Sequence, residues 1–411
     1  MDLQLNTAKP LIMHIDLNAC YAMLEQQANP LIRNKPVGIA AYGTSGGFIL
    51  AASYEAKRLG IGLMRVREAR ELCPNIIILT PDPEKYFDAH RRFRKVLLKY
   101  TDKVTPKSID EFIVDFGGSL AVQNGQSLVD IGHQIKRDIK KALGDYVTVN
   151  VGIAPNRFLA KVAAGLNKPD GLDIITSENL ERIYDGLSLV DLPGINVRYE
   201  ARLNFANIYT PLQFLQAPLW TLKHQVFQSI NGYYWFLRLR GYEIDDHVSS
   251  VQSFGQQYAL GDKTTDKEKL SRLIMKLSEK CGRRLRKHGF IAGGVVLGVG
   301  YENRTFWGQQ RKSKSAIYTT QDIYRNIMRL MSLAPTGPKV TSLDVSVNYL
   351  EPVDPIQMGL FDNTRLDSMA LAGAVDKMND RYGEFTVVPA IMANMDDLIL
   401  KRVPFGSVRD L

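Results

Sequence analysis

Two adjacent acidic residues interrupt an apolar stretch of the chain and are its strongest candidates for chemistry. Asp110 and Glu111 stand between Ile109 and the apolar run Phe112 to Val114. On a regular strand neighbouring side chains point to opposite faces, so these two carboxylates would diverge. The preceding residues 105–108 (TPKS) favour a turn or a break in strand pairing, which would let both carboxylates share one face. A surface turn that carries two acids is the alternative interpretation.

Converging carboxylates repel each other unless a cation joins them, and Mg²⁺ prefers a few carboxylates together with phosphate oxygens. Asp16 is the third candidate ligand, because it ends the apolar strand at residues 11–16 (LIMHID). In a split βαβ sheet this strand should lie beside the hairpin of residues 105–116. Three carboxylates at one sheet edge can hold two metal ions, the arrangement used for in-line nucleotidyl transfer.

A second set of residues supplies groups that phosphates would need. Tyr54 and Lys57 lie in a predicted helix that begins after Ser53, with Lys57 one turn beyond Tyr54 on the same face. Lys161 lies in the helical segment 156–166, among small residues that indicate close packing. A lysine on a helix is usually solvated, so an ordinary surface position for Lys161 is the alternative.

The elements that must position these residues alternate in the order of the split βαβ plan of ferredoxin-like domains. We place this domain at residues 1–19 and 79–175, with residues 20–78 inserted. The elements that define it are predicted strands at 11–16, 112–116 and 147–153 and predicted helices at 84–100 and 125–143.

A Pro193-Gly194 turn leads into a helix within residues 191–203 (DLPGINVRYEARL). This pattern favours a helix-hairpin-helix, in which backbone amides of the turn and of the helix N-terminus face a DNA phosphate. Asn196 stands where such motifs usually carry a second glycine, and asparagine tolerates the left-handed conformation. A plain helical turn is the alternative.

The positive charge of the chain is concentrated in one segment. The 411 residues carry a net charge of +9, and residues 252–355 alone hold 17 Lys and Arg against 9 Asp and Glu. This basic block predicts a polyanionic partner, and a merely soluble basic face is the alternative. The segment also predicts a second, smaller α+β domain, with helices at 267–287 and 320–331 and strands at 293–299 and 342–349.

The composition argues against several other classes of protein. No stretch approaches the ~20 apolar residues of a membrane span, and residues 1–10 lack the hydrophobic core of a signal peptide. The cysteines Cys20, Cys73 and Cys281 are far apart and form no CxxC pair. A structural zinc site and a disulfide framework are therefore not expected, which fits a reducing cytosol.

Six segments, in order along the chain, resemble the motifs of the Y-family (translesion) DNA polymerases, in particular the group of bacterial DNA polymerases IV and V. They are HIDLNACYAMLE (14–25), AASYEAKRLGI (51–61), ARELCPN (69–75), SIDEFIVDF (108–116), VGIAPNRFLAKVAAGLNKPDG (151–171) and LPGI (192–195). The likeness covers about residues 1–355. It implies a template-directed DNA polymerase that copies damaged templates and does not proofread. A nucleotide cyclase on the same palm plan and a non-catalytic DNA-binding or scaffold relative in the translesion machinery are the alternatives.

The resemblance also implies roles for individual residues. Asp16, Asp110 and Glu111, together with the backbone carbonyl of Leu17, would hold two Mg²⁺ ions, for which Mn²⁺ can substitute. Tyr21 would be the steric gate, whose ring rejects ribonucleotides by a clash with the 2′-OH. The residues that would contact the incoming dNTP are Asn18, Ala19, Cys20, Tyr21, Tyr54, Lys57 and Lys161.

Three of these residues depart from the family pattern. Cys20 stands where an aromatic residue is usual, and Asn18 replaces a frequent second aspartate. Lys57 stands where arginine is common. A planar guanidinium group that can form two parallel hydrogen bonds is thereby replaced by a compact ammonium group.

The architecture implied by the resemblance is α+β and multidomain. A ferredoxin-like palm would carry a small fingers insertion, followed by a helical thumb with the helix-hairpin-helix and by a separate α+β little-finger domain. The predicted boundaries are palm 1–19 and 79–175, fingers 20–78, thumb 176–245, linker 246–251, little finger 252–355 and C-terminal tail 356–411.

The implied partners are primer–template DNA, a dNTP and the sliding clamp, with no membrane. The protein would be cytoplasmic and would join the nucleoid when it is bound to DNA. DNA contacts are predicted at Gly194, Arg283, Arg284, Arg286, Lys312 and Lys314. The segment 357–361 (QMGLF) resembles a peptide that docks on the clamp, with contacts predicted at Gln357, Leu360 and Phe361.

Overall fold

The computed structural model describes residues 3–246, 250–353, 363–395 and 399, and the chain divides into two compact units. The described residues up to 246 form the first unit, and those from 250 onward form the second. The segments predicted as palm, fingers and thumb lie in the first unit, and the segment predicted as little finger lies in the second. No described helix is long and apolar enough to cross a membrane.

Short strands and helices alternate along the first unit. Its strands are β1 (Ile12–Leu17), β2 (Val37–Ala40), β3 (Ile49–Ala52), β4 (Ile77–Leu79), β5 (Val104–Pro106), β6 (Glu111–Asp115), β7 (Val149–Ala154) and β8 (Leu172–Ile174). Its α-helices are α1 (Cys20–Ala28), α2 (Tyr54–Arg58), α3 (Val66–Leu72), α4 (Pro83–Leu97), α5 (Leu120–Gln123), α6 (Leu128–Leu143), α7 (Arg157–Leu166), α8 (Leu180–Asp185), α9 (Val197–Phe205), α10 (Pro211–Gln216) and α11 (Asn231–Leu239).

A five-stranded sheet in the order β5-β6-β1-β7-β8 is the base of the first unit. The central strand β1 pairs antiparallel with β6 and with β7, and its alternation decides which side chains face each side. Met13, Ile15 and Leu17 enter the apolar core that α4 and α6 complete. His14 and Asp16 lie on the opposite face, which α7 covers. This is the ferredoxin-like arrangement that the sequence predicts.

The helix α7 lies very close to β7, because Gly152 has no side chain. A Cβ at this position would lie 2.1 Å from the carbonyl oxygen of Ala160 and 2.2 Å from the amide nitrogen of Ala164. Both alanines, like Ala163 between them, are buried. The small residues of the sequence therefore bring α7, and Lys161 with it, down onto the face of the sheet that carries the acids.

The residues between β1 and α4 form an inserted lobe. Its three-stranded sheet, in the order β3-β2-β4, packs against α2 and α3 through a small apolar core. The hydroxyl of Ser53 accepts a hydrogen bond from the amide of Ala56 and so caps α2, the helix that carries Tyr54 and Lys57.

The second unit is a four-stranded antiparallel sheet in the order β11-β10-β12-β9, with helices packed against its apolar face. Its elements are β9 (Ser253–Thr264), α12 (Lys267–Lys287), β10 (Phe290–Tyr301), β11 (Phe306–Ile317), α13 (Thr320–Met331), β12 (Val340–Pro352) and α14 (Asn363–Tyr382). Helices α12 and α13 begin and end where the sequence predicts them. The sequence prediction missed β9, β11 and α14. The edge strand β11 is mostly exposed, so it has no apolar alternation to signal a strand.

Gly152→Ala should destabilise the first unit, because the new methyl group would collide with backbone atoms of α7 rather than with a flexible side chain. We expect the free energy of unfolding to fall by roughly 3 kcal/mol. Gly165→Ala is the matched control, since its Cβ would meet no atom within 4 Å, and it should be neutral or stabilise α7 by up to about 1 kcal/mol. Thermal unfolding of both variants checks this, and equal melting temperatures would contradict the close approach.

Candidate active site

The chain bends between β5 and β6, so strand pairing is interrupted directly before the two acids. The carbonyl oxygen of Glu111 accepts hydrogen bonds from the amides of Lys107 at 2.9 Å and of Ser108 at 3.4 Å, which closes a tight turn. The carbonyl of Asp110 accepts a hydrogen bond from the amide of Leu17 at 2.9 Å, so the bend stays attached to β1. The break in pairing that the sequence requires is therefore present.

The bend brings three acidic residues to the same end of the sheet. Asp16 and Glu111 are direct cross-strand partners, so their side chains leave the sheet on the same face. Asp110 adjoins them, and the hydroxyl of Ser108 donates a hydrogen bond to its Oδ1 at 2.6 Å. Burial raises the pKa of Asp16 to about 6, against the effect of Lys168 and with help from the other two carboxylates. Burial, with repulsion from Glu111, also raises the pKa of Asp110.

Two lysines neutralise part of this negative charge. Lys161 on α7 places its Nζ 2.9 and 2.8 Å from the two carboxylate oxygens of Glu111. Lys168, two residues beyond the end of α7, forms an ion pair with Asp16. Burial raises the pKa of Glu111, but the charges around this carboxylate outweigh burial and hold its pKa below the usual value.

A cleft of about 390 Å³ is lined by Asp16 and Glu111 together with Lys161 and Lys168. His14 lies in its floor with Nε2 3.9 Å from Oε2 of Glu111, and burial lowers the pKa of this imidazole to about 3. At neutral pH His14 is therefore uncharged. The opposite wall comes from the predicted thumb, and the thumb residues that line it are Leu187, Asp191 and Pro193.

Asn18 is buried and holds the loop that carries Lys168. Its Nδ2 donates to Oδ1 of Asn150 at 2.8 Å, and its Oδ1 accepts from the hydroxyl of Thr148 and from the amide of Asp170, both at 2.9 Å. The side-chain amide of Asn18 is thus hydrogen-bonded within the protein. Asn18 contributes to the site by connecting the end of β1 to β7 and to the loop after α7.

The turn from β1 to α1 buries the predicted gate. Ala19 adopts the left-handed conformation with φ of 44°, which places Cys20 and Tyr21 at the start of α1. The Tyr21 ring stacks on Tyr86 with ring centres 4.5 Å apart. Burial, followed by the charges of Cys20 and Asp110, raises the pKa of Tyr21, so its phenol lies within the field of the acidic cluster.

Helix α2, in the segment predicted as fingers, brings two more of the predicted dNTP-binding residues close to Asp16. Burial raises the pKa of Tyr54, nearby Asp16 adds to the shift, and a hydrogen bond with Asn18 opposes it. The Nζ of Lys57 lies 4.8 Å from the centre of the Tyr54 ring. Burial and Lys168 lower the pKa of Lys57, whereas Asp16 opposes that shift. Hence the structure gathers the predicted phosphate-binding residues around the acids.

Sequence reasoning missed Lys168, although it belongs to a segment (GLNKPDG, 165–171) that resembles the family. The available signal was a lysine just after α7, in the loop that returns to β8. Without coordinates nothing showed that this loop folds back over the end of β1.

The turn before α9 corrects one expectation. Gly194 has a positive φ of 94°, as a tight turn requires, but Asn196 has an extended conformation with φ of −103°. Instead of adopting a left-handed conformation, Asn196 caps α9, and its Oδ1 accepts hydrogen bonds from the amides of Arg198 at 3.1 Å and Tyr199 at 3.0 Å. The expectation of a left-handed Asn196 was therefore wrong, because helix capping requires an extended residue at this position.

In the second unit α14 engages two of the arginines predicted to contact DNA. Arg286 forms a two-pronged ion pair with Asp376, at 2.5 and 2.9 Å, and Arg283 pairs with Asp380 at 2.8 Å. Arg284 donates to the carbonyl of Gly255 at 3.0 Å. All three arginines lie on α12, on the helical side of the sheet.

The remaining predicted DNA contacts, Lys312 and Lys314, are exposed on the edge strand β11, and Lys312 lies over the ring of Tyr349 at 4.6 Å. The residues predicted to bind the clamp lie outside the described residues; they are Gln357, Leu360 and Phe361.

Within the described ranges, no three Asp, Glu, His or Cys side chains are gathered closely enough to enclose a metal ion by themselves. Two of the acids are instead engaged by lysines, Glu111 by Lys161 and Asp16 by Lys168. The donor set nonetheless fits a divalent cation, because it offers hard carboxylate oxygens on neighbouring residues of one sheet.

Solved structures share this fold, and family models and curated proteins match most of the chain. A Y-family DNA polymerase chimera has a TM-score of 0.70 and 23% sequence identity, over 82% of this chain and 98% of that one. The impB/mucB/samB family model matches residues 15–165, and the model of its C-terminal domain matches residues 251–360. DNA polymerase IV 2 of Bacillus subtilis (strain 168) is 30% identical over 397 residues, covering 92% of this chain and 94% of the relative. DNA polymerase IV of Moorella thermoacetica is 30% identical over 389 residues, covering 92% and 95%.

The fold is thus that of the Y-family polymerases. The chain belongs to the impB/mucB/samB family of translesion polymerases and is a DNA-directed DNA polymerase.

Asp16→Asn should stabilise the first unit at alkaline pH in metal-free buffer. Folding raises the pKa of Asp16 from 3.8 to about 6, so the stability tied to this carboxyl is full below 3.8 and is lost as the pH rises through 6. The Asp16→Asn variant carries a neutral amide and does not lose this stability. Its free energy of unfolding at pH 8 should therefore exceed that of the wild type by roughly 2 kcal/mol. Thermal unfolding with EDTA checks this. The difference in melting temperature between the variant and the wild type should shrink at pH 5. Equal melting temperatures at pH 8 would contradict the raised pKa of Asp16.

Proposed function

We propose that this chain is a template-directed DNA polymerase of the translesion type, which adds dNTPs to a primer 3′-OH by two-metal nucleotidyl transfer without proofreading. The observation that carries the proposal is the cross-strand pair of Asp16 and Glu111 with Asp110 at the adjoining bend. Carboxylates so placed, with Lys161 and Lys168 beside them, suit phosphoryl chemistry, which depends on positioning and electrostatic stabilisation rather than on a covalent nucleophile.

The metal ligands would be Asp16, Asp110, Glu111 and the backbone carbonyl of Leu17. When bound, two Mg²⁺ ions, or Mn²⁺ in their place, supply Lewis-acid stabilisation of the attacking and leaving oxygens. The protein's part is to keep the three carboxylates adjacent, which the register of β1 with β6 and the bend before β6 achieve.

The triphosphate of the incoming nucleotide would lie among the lysines of the cleft. Lys161 and Lys168 now pair with carboxylates, and both could transfer to phosphate oxygens when cations balance the acids. Tyr54 and Lys57 face the same place from the fingers, the phenol as a hydrogen-bond donor and the ammonium as a point charge.

Primer–template DNA would contact the turn at Gly194 and the exposed cations Lys312 and Lys314 of β11, whereas Arg283 and Arg286 would do so only if α14 released them. The solved Y-family relative described as an insertion ternary complex of Dbh DNA polymerase, with a TM-score of 0.54, supports DNA and nucleotide as partners. Docking on a sliding clamp through Gln357, Leu360 and Phe361, and a cytoplasmic location at the nucleoid, complete the proposal.

Primer extension tests the metal site. The wild type should extend a primed template with dNTPs and Mg²⁺, and the Asp110→Ala/Glu111→Ala double variant should lose roughly 10³-fold or more in rate, because the transition-state charge loses its stabilisation. Glu71→Ala, at an exposed acid of α3, is the control and should retain full activity. An inactive wild type that still binds primer–template DNA would instead support a non-catalytic scaffold.

Tyr21→Ala tests the steric gate. Removal of the ring should admit the ribose 2′-OH and raise the kcat/KM for a ribonucleotide about 100-fold relative to the matching deoxyribonucleotide. Tyr21→Phe keeps the ring and should preserve the wild-type ratio. Unchanged sugar selectivity in Tyr21→Ala would remove Tyr21 from the gate role.

A further inference from the structure

The ring of Tyr21 is supported from behind by a second aromatic residue. Tyr86 on α4 stacks on it with ring centres 4.5 Å apart and ring planes 28° apart. Tyr86 is fully buried, so neither substrate nor solvent reaches it, and its ring faces the gate from within the core of the sheet and helices. Offset stacking at this distance favours one relative orientation of two rings. The orientation of Tyr21 therefore depends on that of Tyr86.

The far end of Tyr86 is fixed by a buried carboxylate. Its hydroxyl donates a hydrogen bond to Oε1 of Glu25 at 2.9 Å, and the other oxygen of Glu25 accepts a hydrogen bond from Nζ of Lys85 at 2.6 Å. Glu25 is buried, and a hydrogen bond to a buried charged group is stronger than one between neutral groups. Lys85 and Tyr86 are consecutive residues of α4, so the carboxylate locks this end of the helix.

These contacts form a closed arrangement between two helices. Glu25 follows Tyr21 by four residues on α1, which places both side chains on the same side of that helix. Tyr86 reaches across from α4 and touches both of them, one through its ring and the other through its hydroxyl. A ring held at both ends cannot turn away without breaking either the stack or the hydrogen bond.

We propose that Tyr86 and Glu25 are positioning residues for sugar selection, which hold the ring of Tyr21 where a ribose 2′-OH would collide with it. The inference rests on the proposed function, because it takes Tyr21 to be the gate. The gate excludes a single hydroxyl group only if the ring of Tyr21 cannot move aside. A displacement of that ring by less than an ångström would strongly change the discrimination between ribose and deoxyribose. The rigidity that sugar selection needs would then come from α4 rather than from the nucleotide site.

Tyr86→Leu tests the proposal, because leucine keeps an apolar side chain but removes both the stack and the hydroxyl. We expect the ratio of kcat/KM for dCTP over CTP to fall by about tenfold, through a gain in CTP incorporation, while kcat/KM for dCTP stays within about threefold of the wild type. Tyr86→Phe keeps the ring and should retain most of the sugar selectivity of the wild type. Steady-state single-nucleotide insertion with the full chain measures all of these ratios.

Phe93→Leu is the matched control. Phe93 is equally buried on the same helix, but it packs edge-on against Phe112 instead of against the gate. Its loss should lower the melting temperature without changing the sugar ratio. If Phe93→Leu and Tyr86→Leu lowered selectivity equally, or if neither changed it, the positioning role would be overturned.

Glu25→Ala decides the question if Tyr86→Leu yields no folded protein. It leaves the stacked rings in place but frees the hydroxyl end of Tyr86, and it should reduce selectivity about threefold. Unchanged selectivity in this variant would overturn the proposal. Tyr21→Ala separates the gate role of Tyr21 from the positioning role of Tyr86 and Glu25. If Tyr21→Ala admits CTP and the Tyr86 and Glu25 variants do not, Tyr21 is the gate but α4 does not position it. If Tyr21→Ala itself excludes CTP, the gate is wrong.

Discussion

Two neighbouring residues of a strand can present their side chains to one ligand only where the alternation of the strand is broken. Here the break lies between β5 and β6, where two amides fold back on the carbonyl of Glu111 and the carbonyl of Asp110 remains bonded to the backbone of Leu17. The bend therefore interrupts the regular strand before Glu111 without detaching the segment from β1. Everything proposed for catalysis depends on this local geometry, because Asp16 is already fixed opposite Glu111 by strand register.

Such a cluster of acids is unfavourable in a buried site unless cations lie close to it. The protein meets this requirement from α7 and the loop after it, where Lys161 pairs with Glu111 and Lys168 with Asp16. Gly152 allows the close approach of α7, the helix that carries Lys161, to the sheet. The same lysines are suited to phosphate once divalent cations take over the acids. Packing and electrostatics are thus coupled, since a glycine on β7 allows the close approach of the helix that carries Lys161.

Much of this was predictable from local pattern. Periodicity and turn chemistry predict the apolar alternation of β7, the ends of α12 and α13, and the need for a bend within residues 108–111. What could not be predicted depends on distant segments: Lys168 meets Asp16 only through the folded loop, and Asp376 of α14 meets Arg286 only after the second unit has folded. The exposed edge strand β11 was missed because its polar sequence lacks the alternation that marks a half-buried strand.

The proposed reaction requires that Asp16, Asp110 and Glu111 together hold two divalent cations when nucleotide and DNA are bound. Its most direct test is a count of bound Mn²⁺ by electron paramagnetic resonance, on the full chain with primer–template DNA and a non-hydrolysable dNTP. We expect two tightly bound ions per chain in the wild type, and the loss of at least one of them in Asp110→Asn and in Glu111→Gln. Two ions retained in both variants would contradict it.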